Sequence, residues 1–295
     1  MRKNLISSLL IVRIIVLMIF MAVSSNAWTH EIDPINKMIE EILYPVVSIY
    51  NDEDPRGSGV VVYSKKERRK KGKWRTFIIT SKHVVAHSIF ESTLFLSGRV
   101  GPRVLVPVTV RIYRKVESVG KTPADMYRSY ETNIVAYDSD KDLALLSLQE
   151  TDTGVRYVAN LYKPKLDLRF FEPVWVVGAG LGYEPFPATG IISIPEIDEG
   201  KRKSFMFSAP IIFGNSGGGV YRYNSTKGSY ELVGISRSMN LLKVNGIATL
   251  SAGSQQGVEA RTKVKIPVTH MGVAVSVREV CTFLSEKGYG YICKE

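Results

Sequence analysis

Apolar residues along this chain come mostly in short runs rich in valine, isoleucine and aromatics, with no helical spacing. "PVVSIY" (45–50), "GSGVVVYS" (57–64), "RTFIIT" (75–80), "STLFLS" (92–97), "RVLVPVTVRIY" (103–113), "TNIVAY" (132–137) and "LALLSL" (143–148) form a first series. "PVWVVGAG", "ATGIISIP", "KSFMFSAP", "GGGVYRY", "YELVGISRS" and "GVAVSV" form a second. Runs of this kind, punctuated at short intervals by Gly, Pro, Asp and Asn, predict β-strands. Many short strands at such spacing predict antiparallel barrels or a sandwich. Two stretches have helical character instead, "INKMIEEILY" (35–44) and "VREVCTFLSEKGY" (277–289). The weakest seam is residues 149–169, between the two strand series. The expected organisation is a leader over 1–27, an N-terminal β lobe over 28–155, and a C-terminal lobe over 156–295 that carries the last helix. Residues 114–133 read as an insertion between strands, with no assigned role.

Composition alters this picture in three places. Hydrophobic residues make up 45% of the 295 positions and charged ones 23%, a globular balance. Thirty-nine Lys and Arg stand against 28 Asp and Glu, for a formal charge of +11. Much of the excess lies in "KKERRKKGKWR" (65–75), which reads as a solvated hairpin tip able to touch an anionic surface, with no specific nucleic acid expected. The N-terminus has Arg2, Lys3 and Arg13, then the apolar "IIVLMIFMAV" (14–23), then small residues at Ser25 and Ala27. That is the pattern of a signal peptide cut after Ala27, with an anchor through residues 5–24 as the alternative; either way the remainder is exported, to a periplasm or outside the cell. Cys281 and Cys293 are the only cysteines, and an exported chain permits them to pair. Neither they nor the histidines have metal-site spacing, and no cofactor is expected.

The stretch "IIFGNSGGGV" (211–220) sets Ser216 among glycines. A serine hydroxyl becomes a nucleophile only beside a base, and the base needs an orienting acid. Four histidines are available. His83, in "TSKHVVAH", directly follows an apolar strand; His30, His87 and His270 read as structural. Asp142 in "SDKDLALLSL" immediately precedes another apolar strand and can point inward, whereas Asp138 and Asp140 lie in a polar turn. The order His83, Asp142, Ser216 puts base and acid in the first lobe and nucleophile in the second, with the site in the cleft between them.

"TSKHVVAH", "DLALLSL" and "GNSGGGV" resemble the three active-site segments of trypsin-like serine proteases, most closely those of the HtrA/Deg branch. "YPVVSIYND…GSGVVV", "VWVVGAGLGYEPFPATGIIS" and "MGVAVSV" resemble further parts of that branch, and the resemblance spans roughly 37–285. It implies two antiparallel six-stranded β-barrels of chymotrypsin type, with a short C-terminal helix. It implies His83 as general base, Asp142 as its orienting acid and Ser216 as the attacker of a peptide carbonyl. The amide N–H groups of Gly214 and Ser216 would form the oxyanion hole. Polypeptides are then the substrates. Gly219 replaces the proline usual after this motif, and the branch's frequent PDZ-like region is not expected here. Monomer and trimer both remain open. Asn215 stands where zymogens of the digestive type carry an aspartate, and an uncharged amide cannot pair with a new α-ammonium.

The same resemblance sets the floor of the specificity pocket six residues before the nucleophile, at Pro210. Ile211, Ile212 and Phe213 follow it, with Val273 and Ala274 as a wall and Arg237 on the strand expected to line it. None of the floor or wall residues is acidic, so cleavage after Val, Ala or Leu is expected, unless Arg237 favours an acidic side chain. "GNSGG" also satisfies the G-x-S-x-G of α/β-hydrolases, but that fold needs a helix and a histidine after the serine. Here strand-like "GVYRYN" follows, and His270 is the only later histidine. The alternatives to a protease are therefore an esterase and a catalytically silent, protease-like binding scaffold.

Overall fold

The computed structural model describes residues 33–51, 53–67, 72–94, 99–105, 108–114, 127–149, 151, 153–161, 168–250 and 258–293, with the backbone alone along 90–105 and 238–267. The expected leader and His30 fall outside these residues, as do parts of the 65–75 run, of the 149–169 seam and of the 114–133 insertion. Residues up to Lys37 form one unit and Met38–Glu295 the other. In the first, the Asp33 carboxylate accepts from the Ile35 N–H at 3.0 Å and opens a short helical turn, as N-capping residues do.

The second unit contains two closed antiparallel barrels. Strands β1 (Val46–Asn51), β2 (Asp54–Lys66), β3 (Trp74–Ser81), β6 (Val108–Tyr113), β7 (Tyr127–Asp138) and β8 (Leu143–Leu148) close the first in the order β1-β2-β3-β8-β7-β6. A separate hairpin, β4 (Ile89–Leu94) and β5 (Arg99–Leu105), follows a 3-10 segment at Lys82–Ser88. Strands β9 (Pro173–Gly178), β10 (Phe186–Asp198), β11 (Lys203–Phe207), β12 (Gly219–Asn224), β13 (Ser229–Leu250) and β14 (Val258–Ser276) close the second in the order β10-β11-β14-β13-β12-β9. Two strongly β-prone series thus close into two barrels, the arrangement that leaves no open sheet edge in either.

Alternation supplies each core. Val47, Ile49, Val61, Ile78, Val110, Ile134 and Leu146 fill the first barrel, and Val174, Val176, Phe205, Phe207, Val220 and Val233 the second. A third cluster draws Val46, Val60, Phe77 and Leu145 from the first barrel, Val177, Tyr221 and Leu232 from the second, and Phe283 from the C-terminal helix. This joint core fixes one lobe against the other and therefore fixes any cleft between them.

Three sequence expectations need correction. The run 103–113 is not one strand but the end of β5 and the whole of β6. The insertion ends earlier than 133, because β7 begins at Tyr127 and pairs with β6. The strands expected over 230–238 and 272–277 are much longer, and their pairing runs out to Leu250 opposite Val258. Gly246, Asn245 and several lysines break the apolar signal there, but the backbone ladder needs only a compatible conformation and a partner strand. The described ends of the basic run pair across β2 and β3, with Lys66 opposite Trp74.

The C-terminal helix, Val277–Glu286, starts where the Ser276 hydroxyl accepts from the Glu279 N–H, and reverses at Gly288 with φ 85°. The reversal brings Cys293 to Cys281, and the two form a disulfide with Cα atoms 5.8 Å apart. Replacing both with alanine should lower unfolding stability by about 2–3 kcal/mol, the scale for a closed loop of this size. Equilibrium denaturation under non-reducing conditions checks it; an unchanged midpoint would mean that the cross-link constrains nothing.

Candidate functional site

β3 ends at Ser81, and the next residues turn into the 3-10 segment that carries His83 at its start. Asp142 occupies the last position before β8 with φ 56°, a left-handed conformation that short polar side chains tolerate. From there its carboxylate accepts twice from one residue. Oδ1 takes the His83 backbone N–H at 3.0 Å, and Oδ2 lies 2.9 Å from His83 Nδ1. A carboxylate can only accept, so Nδ1 carries a proton, and in the neutral imidazole Nε2 keeps its lone pair. Burial works to raise the Asp142 carboxyl, but the His83 hydrogen bonds and the nearby Arg237 charge outweigh it and hold it below the usual carboxylate range.

Ser216 sits on the turn between Ile211 and β12. Its hydroxyl donates to the Arg237 carbonyl at 2.9 Å and not to His83. The turn is braced from β2. The Ser58 N–H donates to the Ser216 carbonyl at 2.8 Å. The Ser58 hydroxyl donates to the Gly214 carbonyl at 2.6 Å and accepts from the Ala179 N–H at 2.7 Å. Gly217 has φ 85°, and a Cβ there would collide with the Ser58 carbonyl, so the turn admits no side chain at that position. Its N–H donates to the Ser236 carbonyl at 2.6 Å, and the Ser236 N–H returns a bond to the Gly218 carbonyl. Among the described residues the N–H groups of Gly214 and Ser216 donate to no protein acceptor, while those of Asn215, Gly217 and Gly218 all do. Gly214 has φ 98°, again the region where glycine is favoured.

A family model described as "Trypsin-like peptidase domain" matches residues 57–235, more than half of the chain. The chain belongs to the trypsin-like peptidase family. With that membership comes the serine-protease class of hydrolase, and the match spans the segments that hold His83, Asp142 and Ser216. Comparison with curated proteins finds no match.

The remaining candidate residues of this trypsin-like domain scatter. Pro210 is exposed, Phe213 is 63% exposed and Ile212 is half-buried. Ile211 and Ala274 belong to the core of the second barrel, and Val273 is buried. Arg237 departs from the expectation. Its side chain does not enter the group around Pro210 but reaches Asp142, with Nε 3.3 Å from Oδ2, and Glu199, with one terminal nitrogen 3.2 Å from each carboxylate oxygen. The physical reason is a bulge. Ser236 pairs with Ala274 and Ser238 with Val273, so Arg237 has no opposite residue on β14. Asn215 is buried, with neither amide atom partnered among the described residues. His270 is exposed, and its Nδ1 lies 3.1 Å from the Thr269 hydroxyl. No group of three His, Cys, Asp or Glu suited to a metal occurs among the described residues.

Sequence reasoning missed Ser58 and Glu199. Ser58 stands in "GSG" inside a strand, a position where a small polar residue between glycines signals close backbone approach. Glu199 gave no signal in sequence. Burial works to raise its carboxyl, yet hydrogen bonds from Arg202 and Ser204 and the Arg237 charge pull it down to about 2.

Proposed function

We propose that the chain is a serine endopeptidase that cleaves exposed or unfolded polypeptide segments by acyl transfer. Ser216 attacks the peptide carbonyl, His83 takes its proton at Nε2, and Asp142 keeps the imidazole in the tautomer that can accept. The supporting observation is the pairing of a carboxylate-oriented His83 with a turn whose Gly214 and Ser216 N–H groups have no protein acceptor among the described residues. Two such donors are what a developing oxyanion needs, each worth about 3 kcal/mol in the transition state. The Ser216 hydroxyl rests on the Arg237 carbonyl, so it must turn from that carbonyl to His83 before proton transfer; apo geometries commonly tighten only with substrate bound.

The HtrA/Deg-type branch is the subgroup we favour, on the segments quoted for the resemblance. Export to a periplasm or beyond the cell fits both the N-terminal pattern and the Cys281–Cys293 disulfide. Pro210, Ile212, Phe213 and Val273 offer no carboxylate to pair with a substrate cation, and an unpaired buried cation is costly. Cleavage should therefore follow Val, Ala or Leu, broadly, because apolar pockets separate neighbouring sizes by only about 1–3 kcal/mol.

A second reading, the catalytically silent scaffold, draws on the Ser216 hydroxyl's attachment to the Arg237 carbonyl. Two measurements decide. Diisopropyl fluorophosphate should label Ser216, and a denatured-protein peptide library should be cut after small or medium aliphatic residues. No label and no cutting would establish the scaffold; dominant cleavage after Lys or Arg would overturn the pocket.

A further inference from the structure

We propose that Arg237, clamped by Glu199, is a positioning residue that holds the Asp142 carboxylate for His83 and sets the pH range over which the His83–Asp142 pair works. The inference rests on the protease reading of the same site.

Arg237 touches both halves of that site. Its carbonyl accepts the Ser216 hydroxyl at 2.9 Å, and its Nε lies 3.3 Å from Asp142 Oδ2, the oxygen that also faces His83 Nδ1. Its backbone is anchored through the preceding residue. Ser236 exchanges two hydrogen bonds with the nucleophile turn, and the Ser236 carbonyl also accepts from the Ser81 hydroxyl at 3.2 Å, two residues before His83. The bulge between Ser236 and Ser238 re-aims a residue that regular pairing would have placed in register with β14. The guanidinium is then gripped from its far end. Glu199 meets it at 3.2 Å through both oxygens, while Arg202 Nε at 2.6 Å and the Ser204 hydroxyl at 2.8 Å hold Glu199 itself. A planar guanidinium can serve two carboxylates at once with fixed geometry; a lysine ammonium could not.

The charges around the pair are accounted for. His83 and Asp142 come from the first barrel and Arg237 from β13. Glu199 and Arg202 come from the β10–β11 turn, where Lys201 and Arg202 also reach Asp140. Lys141 turns away to Glu279 and Glu286. A proton added to the His83–Asp142 pair therefore places new positive charge beside Arg237, which resists it. Asp142 has no other side-chain donor than His83 and Arg237 among the described residues, so its orientation depends on these two alone.

Arg237→Met keeps the aliphatic length and removes the fork. It should lower kcat by about 10- to 100-fold, the scale of a small misplacement of reacting groups, with KM nearly unchanged. The acidic limb of the kcat/KM profile should move up by about one pH unit, because the opposing charge is gone. Glu199→Gln should lower kcat in the native background and add nothing in Arg237→Met, since the two act through one contact. Arg237→Lys should recover little of the loss. NMR observation of the His83 Nδ1 proton against pH gives the same midpoint shift without any need for turnover. It stands even if Arg237→Met is hard to fold, because Glu199→Gln leaves the guanidinium charge unneutralised and should move the same midpoint down instead of up. A raised KM with unchanged kcat would make Arg237 a substrate contact and overturn the proposal. An unmoved midpoint in all three variants would overturn it as well. Failure of the protease reading would show separately, as a native protein that neither labels nor cleaves.

Discussion

Ser216→Ala is expected to remove turnover of an unfolded protein substrate by about a millionfold, down to the residual rate that binding and oxyanion donors alone sustain. The size of the effect follows from how the groups depend on each other. In the proposed mechanism His83 Nε2 has a proton to accept only if a hydroxyl is present, and Asp142, 2.9 Å from His83 Nδ1, acts only by holding His83. The N–H groups of Gly214 and Ser216, without a protein acceptor among the described residues, remain in the variant, so the proposed oxyanion stabilisation should survive without a nucleophile. The fold should survive too. The Ser216 hydroxyl makes one hydrogen bond, to the Arg237 carbonyl, and is half-buried; its loss costs about 1 kcal/mol. The braces from Ser58 and Ser236 run through backbone atoms that alanine retains. Cleavage assays on carefully purified protein, with melting curves alongside, check both parts. Turnover within tenfold of the native protein would locate the nucleophile elsewhere.

The strands of both barrels were legible in sequence because they carry the β-branched alternation that a half-buried pleat selects and because Gly and Pro cut them at short intervals; that pattern left a sandwich open, and the family resemblance gave the two barrels. The prolonged β13–β14 hairpin was not, since Lys243 and Lys265, Gly246 and Asn245 dilute the apolar period while the ladder persists through backbone bonds. His83 and Asp142 could be picked out because each stands at the edge of an apolar strand, and the structure sets them 2.9 Å apart. The role of Ser58 was hidden. Its partners Ala179 and Gly214 lie 121 and 156 residues away along the chain, and nothing local marks such a bond. Arg237 shows a different limit. Strand periodicity assigns its side chain to one face, and a single unpaired residue in the ladder sends it to Asp142 and Glu199 instead. The same features that sequence periodicity cannot see, a bulge and a few long-range hydrogen bonds, are the ones that join the two barrels into one site.

Asp142→Asn is expected to lower kcat/KM near neutral pH by about ten-thousandfold while leaving substrate binding close to normal. The cause is proton placement rather than lost volume. Asp142 can only accept, which keeps the proton on His83 Nδ1. An asparagine must still receive the His83 backbone N–H through its carbonyl oxygen, which turns its NH₂ towards Nδ1. The imidazole then protonates at Nε2 and cannot take the Ser216 proton. Arg237 loses one carboxylate but keeps Glu199, so the local charge stays partly balanced. Stability should respond to pH with a definite sign. The Asp142 carboxyl is held below its ordinary value of about 3.9, so it contributes stability that is fully present above that pH and disappears as pH falls through the depressed folded value. Asparagine has no such charge, and this part of the acid sensitivity should be missing from the variant. Glu199, held near about 2, should go on contributing below pH 4 in both proteins. Steady-state kinetics at neutral pH and denaturation midpoints between pH 2 and 6 test the pair of effects. A loss of less than tenfold in kcat/KM would show that Asp142 does not set the His83 tautomer. An identical acid response in the two proteins would show that its carboxylate is not held by His83 and Arg237 in solution.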